Sequence, residues 1–302
     1  MIKKIGKVLK SYFICRSCIR NIFDTNKCDE ILIVGQPAIG DVLISCTYVP
    51  YYLNKCDKNV LVICNKKQTF VLDKLGISQY LGVDEKQLEL LRYGYAKNPL
   101  LSRFFSCLLK NNKIRILDAT YFMKTWICYK IPSLSLIDAI RYASLDLTQE
   151  ATLSYPQVEV KYRANELNYD DNSVIINPYS KSAQIPISFF EELTQKLQKL
   201  GYTVYCNIVG DQKPIQGSIP LSCTVDEFCI HSASVFAIIS IRTGLLDYCL
   251  SYSRHVIAIY DTPLNVYSYS LKHWKTATPI SEIIYGDNYA TAKNVIDILN
   301  TY

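Results

Sequence analysis

The 302-residue sequence predicts an α/β protein of two doubly wound domains facing a central cleft, preceded by a basic amphipathic helix. Three observations carry that expectation. Short β-branched runs alternate with helical runs from Glu30 to Tyr142, a polar stretch at Ala151–Asp171 interrupts them, and the alternation starts afresh at Ser173. Strands at this spacing need crossover connections, so each half should be a parallel, Rossmann-like sheet with helices on both faces. Ligands then belong at the carboxyl ends of the strands. The boundaries read as a leader helix at 1–24, a first domain at 29–160, a linker at 161–172, a second domain at 173–287 and a closing helix at 288–302.

Composition narrows the class. Hydrophobic content of 49% with only 11 Gly and 11 Pro excludes disordered and collagenous chains. No apolar run reaches the roughly 18 residues of a membrane span. The 12 Cys are scattered, with Cys46, Cys64, Cys128, Cys206 and Cys249 in apolar segments where they act as small hydrophobes. Cys15-x-x-Cys18 lacks the second pair or nearby His of a zinc site, so reduced thiols in a cytoplasm are expected. The net charge of +6 has one origin: Lys3, Lys4, Lys7, Lys10, Arg16 and Arg20 all precede the first acid, Asp24. Without those six, 27 basic residues face 27 acidic ones. A neutral body without a recognised motif argues against nucleic-acid binding.

Residues 2–13 read as an amphipathic helix, with Ile2, Ile5, Val8, Leu9, Tyr12 and Phe13 on one face and the four lysines on the other. Such a helix suits an anionic surface, here the inner face of the cytoplasmic membrane, or an acidic partner. A terminal helix packed on its own domain is the plainer alternative. Glu30–Gly35 is the first strand, followed by the loop Gln36-Pro37-Ala38-Ile39-Gly40-Asp41 and a helix, Val42–Leu53. Gly35-x-x-x-x-Gly40 followed by Asp41-Val42 is neither a dinucleotide fingerprint nor a P-loop. Asp41 would repel a phosphate, yet at a helix N-terminus it stays ionised and can take a proton from a hydroxyl substrate. The alternative is that it only caps its helix.

Asn59–Cys64 reads as a strand, Thr69–Leu75 as a helix, and Leu88–Leu109 as helix in two pieces split at Asn98-Pro99. Lys113–Asp118 is a strand, Tyr121–Tyr129 an aromatic segment suited to packing or to an acceptor pocket, and Leu134–Tyr142 a helix. Gln157–Val160 has the pattern of one short strand. In the second half, Ser173–Asn177 is a strand leading into Pro178-Tyr179-Ser180-Lys181-Ser182. The next helix starts near Pro186, with a capping box at Ser188-x-x-Glu191 and a stop at Gly201. Tyr202–Ile208 is a strand ending at Gly210-Asp211, and Thr224-x-x-Glu227 is a second capping box. Val235–Ile241 is a core strand, broken by Arg242-Thr243-Gly244 before a helix at Leu245–Leu250. His255–Tyr260 is a further strand and Asn288–Leu299 the last helix. A strand–turn–helix leaves unpaired amides at the turn that favour a phosphate, and the Arg242 fork suits a diphosphate. A surface arginine on an ordinary turn is the alternative.

With Gly40-Asp41 after the first strand and Thr243-Gly244 late in the second half, the chain resembles the family 9, heptosyltransferase-like glycosyltransferases of the GT-B fold. ILIVGQPAIGDVLISCTYVPYYL is similar to that family's opening strand–loop–helix, and INPYSKSAQIPISFFEELTQKLQKLGYTVY to the start of its donor domain. SIRTGLLDYCLSYSRHVIAIY is similar to its Asp-Ser/Thr-Gly-x-x-His segment. Thr243 and Gly244 match that segment, whereas Arg242 stands in place of Asp, Asp247 in place of His, and Ala183 in place of a lysine.

The resemblance implies an inverting glycosyltransferase, hexosyl- or heptosyl-type, with Asp41 as general base and Gly40 and Gln36 in the acceptor loop. Donor contacts would come from Arg242, Thr243, Gly244, Asp247, Ser180, Lys181, Asn177, Tyr179 and Asp211. No Asp-x-Asp occurs, so no metal is expected, and protein cations and amides would stabilise the diphosphate. The implied partners are a nucleotide sugar and a saccharide or lipid-linked acceptor of bacterial surface polysaccharide synthesis. A nucleotide-sugar epimerase and a non-catalytic transferase-like partner subunit are the competing expectations. The three His (His231, His255, His273) lack metal-ligand spacing and are expected to pack or face solvent.

Overall fold

The computed structural model describes residues 14, 17–95, 113–118, 134–160, 167–181, 183–262, 266, 268–286 and 292–302. The chain divides into two compact units, Met1–Gln157 and Val158–Tyr302. In the first, strands β1 (Glu30–Val34), β2 (Val60–Asn65), β3 (Tyr80–Val83) and β4 (Lys113–Leu117) pair in the order β3-β2-β1-β4. All three pairings are parallel. In the second, β5 (Ser173–Asn177), β6 (Thr203–Asn207), β7 (Ile219–Leu221), β8 (Ala237–Ile241), β9 (Val256–Tyr260) and β10 (Ile280–Ile284) form a parallel sheet ordered β10-β9-β8-β5-β6-β7. Counted from its own first strand, the second sheet has the doubly wound order 3-2-1-4-5-6, and the first sheet has its leading part, 3-2-1-4. The order reverses between β1 and β4 in one unit and between β5 and β8 in the other, and those two points are where a ligand crevice forms. The α/β class and the doubly wound pattern are as the sequence predicts.

The strands that were legible are buried throughout: every residue of β1, β2, β5, β8 and β9 is buried, so each reads as a continuous apolar run rather than an alternation. Three strands escaped the sequence reading. β3 is half-exposed and carries Gly82, where a Cβ would stand 2.9 Å from Thr69 Cγ2. β7 is an exposed three-residue edge containing Pro220, and β10 is half-buried along its length.

Helices follow the apolar stripes. Phe189, Phe190, Leu193 and Leu197 of the Ile187–Lys199 helix pack with Ala292, Val295 and Leu299 of the Ala292–Leu299 helix over β5, β6 and β8. That helix ends as expected at Gly201, whose φ of +87° suits the left-handed position. There Gly201 N donates to Gln198 O and Tyr202 N to Leu197 O, both at 3.0 Å, a Schellman closure. Residues 17–26 are helical, and Ile19, Ile22 and Phe23 bury against the β1–β2 cluster.

Several local expectations are corrected. The single helix Val42–Leu53 is two, Ile39–Cys46 and Val49–Lys55. Pro50 has no N–H to give Cys46, and the Thr47 carbonyl is diverted to Ser154 N at 2.9 Å. The Ser188–Glu191 capping box does not form, because Pro186 is the N-cap and Ser188 already lies inside the first turn. The Thr224–Glu227 box does form, in both directions. Gln157–Val160 carries no strand, and the helix at Leu136–Ala139 runs into a π turn, Ile140–Ser144. The leader at 2–13, Cys15, residues 96–109, the segment Tyr121–Tyr129 and residues 161–166 of the expected linker lie outside the described residues. No helix among the described residues is long and apolar enough to cross a membrane.

The amino end of the first sheet is fixed by a buried charge cluster. Glu30, 0% exposed, accepts from Arg115 Nε, Tyr52 Oη (2.9 Å) and Lys58 Nζ (3.3 Å). Burial alone would raise the Glu30 carboxyl, but the bonds from Arg115, Tyr52 and Lys58 hold it below its ordinary range. Standing at the first residue of β1, this cluster is remote from the ligand edge and serves stability.

Candidate functional site

At the switch point of the first unit, Gly35 continues the ladder beyond β1 by donating to Leu117 O at 3.0 Å. A Cβ on Gly35 would stand 2.6 Å from Asp118 Oδ2, so only glycine fits beside that carboxylate. Asp118 is 1% exposed and accepts from Gln36 Nε2 at 3.2 Å, which ties the loop after β1 to the end of β4. The loop then enters the Ile39–Cys46 helix with Ala38 as N-cap, and Val42 N closes the first turn on Ala38 O. Asp41 is the third residue of that helix and half-buried, while Gly40 beside it is buried. Its place is within the first turn, where the helix dipole favours a carboxylate, and the N-cap itself is Ala38. Gln36, Gly40 and Asp41 are thus held on the carboxyl edge of the first sheet. Asp118 was missed. Its signal was an acid ending the apolar strand at the edge where α/β ligands bind.

In the second unit a buried amide relay crosses three strand ends. Asn207 Nδ2 donates to Asn177 Oδ1 at 2.9 Å, and Asn177 Nδ2 donates to Ser240 Oγ at 2.8 Å and reaches Thr243 Oγ1 at 3.5 Å. Asn177, expected among the donor contacts, is 4% exposed and its amide is taken up in this relay. Its neighbours in the following loop are more open. Tyr179 Oη donates to Lys213 O at 2.5 Å, Ser180 Oγ accepts from Ala183 N at 3.2 Å, and Lys181 is exposed. A cavity of 490 Å³ opens here, lined by Pro178, Tyr179, Ser180, Gln184, Ile185 and Ile241 among others. None of its lining residues is charged. Ala183 is one of its walls. Asp211 is exposed on the turn after β6, next to Gly210 at φ +61°, and is not part of that lining.

Arg242 does not present the free fork that the sequence led us to expect. Its Nη2 and Nη1 grip Asp247 Oδ1 and Oδ2 at 2.6 and 2.8 Å, Nη1 also donates to Thr243 O at 2.7 Å, and Nε to Tyr269 O at 2.8 Å. The side chains are 9% and 1% exposed. Asp247 Oδ1 takes a further bond from Trp274 Nε1 at 2.7 Å. Burial opposes the arginine charge, yet Asp247 and Tyr260 hold Arg242 above its ordinary range; burial likewise pushes the Asp247 carboxyl up, opposed by Arg242 and Trp274. Arg242 and Asp247 are therefore one another's partners. Thr243 is the N-cap of the short Gly244–Cys249 helix and makes no side-chain cap bond.

Among the described residues there is no group of three or more His, Cys, Asp or Glu placed to hold a metal. His231 Nδ1 meets Tyr169 Oη at 2.6 Å, and His255 stacks on Tyr302 with centroids 4.1 Å apart. Both pack.

No protein-family model matches the sequence, and no curated protein matches it. Solved structures do match its fold. A family 9 glycosyltransferase from Veillonella parvula superposes with a TM-score of 0.55 at 13% identity, covering 90% of this chain and 96% of that one. The E. coli ADP-heptose lipopolysaccharide heptosyltransferase II gives 0.55 at 14%, covering 90% and 98%. An E. coli heptosyltransferase solved with ADP gives 0.53 at 12%, covering 90% and 97%. The likeness is one of fold, and it spans both units.

Proposed function

From that shared fold, we propose that the chain is a divergent, inverting glycosyltransferase that moves a sugar from a nucleoside-diphosphate donor to a saccharide or lipid-linked acceptor. The observation that carries the reading is Asp41, a half-buried carboxylate in the first helical turn at the switch point of the first unit. An acceptor hydroxyl gives its proton to Asp41 as its oxygen attacks the anomeric carbon. The bond from that carbon to the diphosphate breaks, and the electron pair leaves with the diphosphate. Ser180, Lys181 and the amides at Thr243 and Gly244 stabilise the leaving group, and the uncharged cavity beside Tyr179 takes an uncharged part of the donor. The reaction is metal-independent in this reading, consistent with a sequence that contains no Asp-x-Asp. A role in bacterial surface polysaccharide synthesis on the inner face of the cytoplasmic membrane, reached through the basic leader, completes it.

A second reading has a specific observation in its favour. With Arg242 neutralised by Asp247 and Ala183 in place of a lysine, the donor half offers less positive charge than the family pattern, which suits a non-catalytic partner subunit. Product analysis with nucleotide sugars, with and without acceptor, separates the readings. Transfer that is lost in Asp41→Asn while nucleoside-diphosphate binding persists supports the transferase. Epimerised donor in the absence of acceptor supports the epimerase expectation, and binding without any product supports the partner subunit.

A further inference from the structure

We propose that Arg242 and Asp247 are a positioning pair: together they clamp the segment Tyr269–Trp274 over the carboxyl ends of β8 and β9, making that segment a wall of the donor-binding edge. Arg242 is the first residue beyond β8, and its main chain still belongs to the sheet through Arg242 N to Ile259 O at 2.9 Å. From that fixed base its Nε holds the carbonyl of Tyr269. The hydroxyl of Tyr260, the last residue of β9, stands 3.1 Å from the same carbonyl. The far end of the segment is tied by Trp274 to Asp247. Between these ends, Glu282 of β10 accepts from Leu271 N at 2.7 Å and Ser270 Oγ at 2.8 Å, and its Oε1 also takes Tyr260 Oη at 2.6 Å.

Every anchor is a side chain from the β8–β10 side of the sheet or from the helix following β8, and every anchored group lies in one short segment. A buried ion pair of this kind adds little net stability compared with an apolar pair of the same volume, while removing one partner is costly. What it supplies is direction: the planar fork fixes Asp247, Thr243 O and Tyr269 O relative to one another. The pair thereby sets both the turn that opens the Gly244–Cys249 helix and the segment facing it.

The clamp makes a prediction opposite in sign to that of a phosphate ligand. Were Arg242 a diphosphate ligand held back by Asp247, Asp247→Asn would free its charge and tighten binding, and Arg242→Lys would retain it. For a clamp, both variants loosen the segment and weaken binding, and Lys does not substitute for the fork.

The ligand part of this inference rests on the transferase reading; the clamp itself does not, and the test treats them separately. Amide hydrogen exchange is measured on the full chain for wild type, Asp247→Asn, Arg242→Lys and Trp274→Phe. The last removes one donor while leaving the ion pair in place, and so guards against a variant that fails to fold. Exchange at the Leu271, His273 and Lys275 amides should accelerate about five- to tenfold, the effect of one lost hydrogen bond on local opening, with β5 amides unchanged. Unchanged exchange in that segment overturns the clamp. Titration of the same proteins with ADP, GDP, UDP and TDP should show weaker binding in Asp247→Asn and Arg242→Lys, seen in turnover as a raised donor KM more than a lowered kcat. Tighter binding in Asp247→Asn overturns the positioning role. If wild type binds none of the four, the transferase reading and the wall fail together, and the exchange data still decide the clamp.

Discussion

Replacing Gly35 by Ala is a sharp test of how the loop after β1 is held. The added Cβ would lie 2.6 Å from Asp118 Oδ2 and 2.8 Å from Asp118 Cβ and Cγ, closer than side-chain carbons approach any neighbour. Asp118 cannot simply swing aside, being 1% exposed and bonded to Gln36. Gly35 is not among the positive-φ glycines, so its backbone accepts an L-residue and the cost comes from contact alone. Overpacking of this kind costs about 1–3 kcal/mol. Urea denaturation of Gly35→Ala, Asp118→Gly and the double variant forms a cycle in which the clash should vanish once Asp118 has lost its Cβ as well as its carboxylate, with a coupling of about 1–2 kcal/mol. A loss below about 0.5 kcal/mol for Gly35→Ala, within the range of unremarkable surface changes, would refute the steric account. So would the same loss in the Asp118→Gly background.

Glu30→Ala should destabilise the first unit by about 1–3 kcal/mol in the same assay, because it removes the buried acceptor shared by Arg115, Tyr52 and Lys58 while Arg115 keeps its pair with Asp146. Since Glu30 is held below its ordinary range when folded, its contribution is present above the unfolded carboxylate value near 4.3 and is lost as pH falls through the folded one; an acid titration of stability should flatten in Glu30→Gln. Burial lowers the His231 pKa, so the folded chain binds fewer protons there than the unfolded chain as pH drops below about 6.5. Stability should therefore fall with pH in that window, and His231→Phe should remove part of the slope, as read by thermal unfolding between neutral and mildly acidic pH. Asn177→Leu should cost about 1–3 kcal/mol by leaving Asn207 Nδ2 without its acceptor, and denaturation of Asn177→Leu alone and with Asn207→Leu should show partial recovery in the pair.

The central strands were legible because burial on both faces writes β-branched runs into the sequence, as in EILIV, SVIIN and VIAIY. Edge strands carry no such mark: YLGV contains a glycine chosen for close approach to Thr69, and IPL a proline tolerated only at an edge. Caps were readable only in part, since Thr224 and Ser188 present the same spacing and differ in where Pro186 starts the helix. The place of Asp41 on the carboxyl edge was legible because the strand end and the helix start lie within six residues of one another. The relay Asn207–Asn177–Ser240 was not, because its members lie 30 and 63 residues apart and meet only through the strand order. Arg242 was found for its charge and misjudged in its direction. Its partner Asp247 stood five residues away, but its hold on Tyr269, 27 residues on, needed the fold.

A donor half that binds a nucleoside diphosphate should be stabilised by it, which thermal unfolding of the full chain with ADP, GDP, UDP and TDP, with and without magnesium, would show. At a hundredfold excess over its dissociation constant a ligand stabilises by about 2.7 kcal/mol, a rise in Tm of a few degrees for a chain of this size. At least one of the four should raise Tm by that amount, and equally without magnesium. No shift from any of them, or a shift only when magnesium is present, would contradict a metal-independent glycosyltransferase.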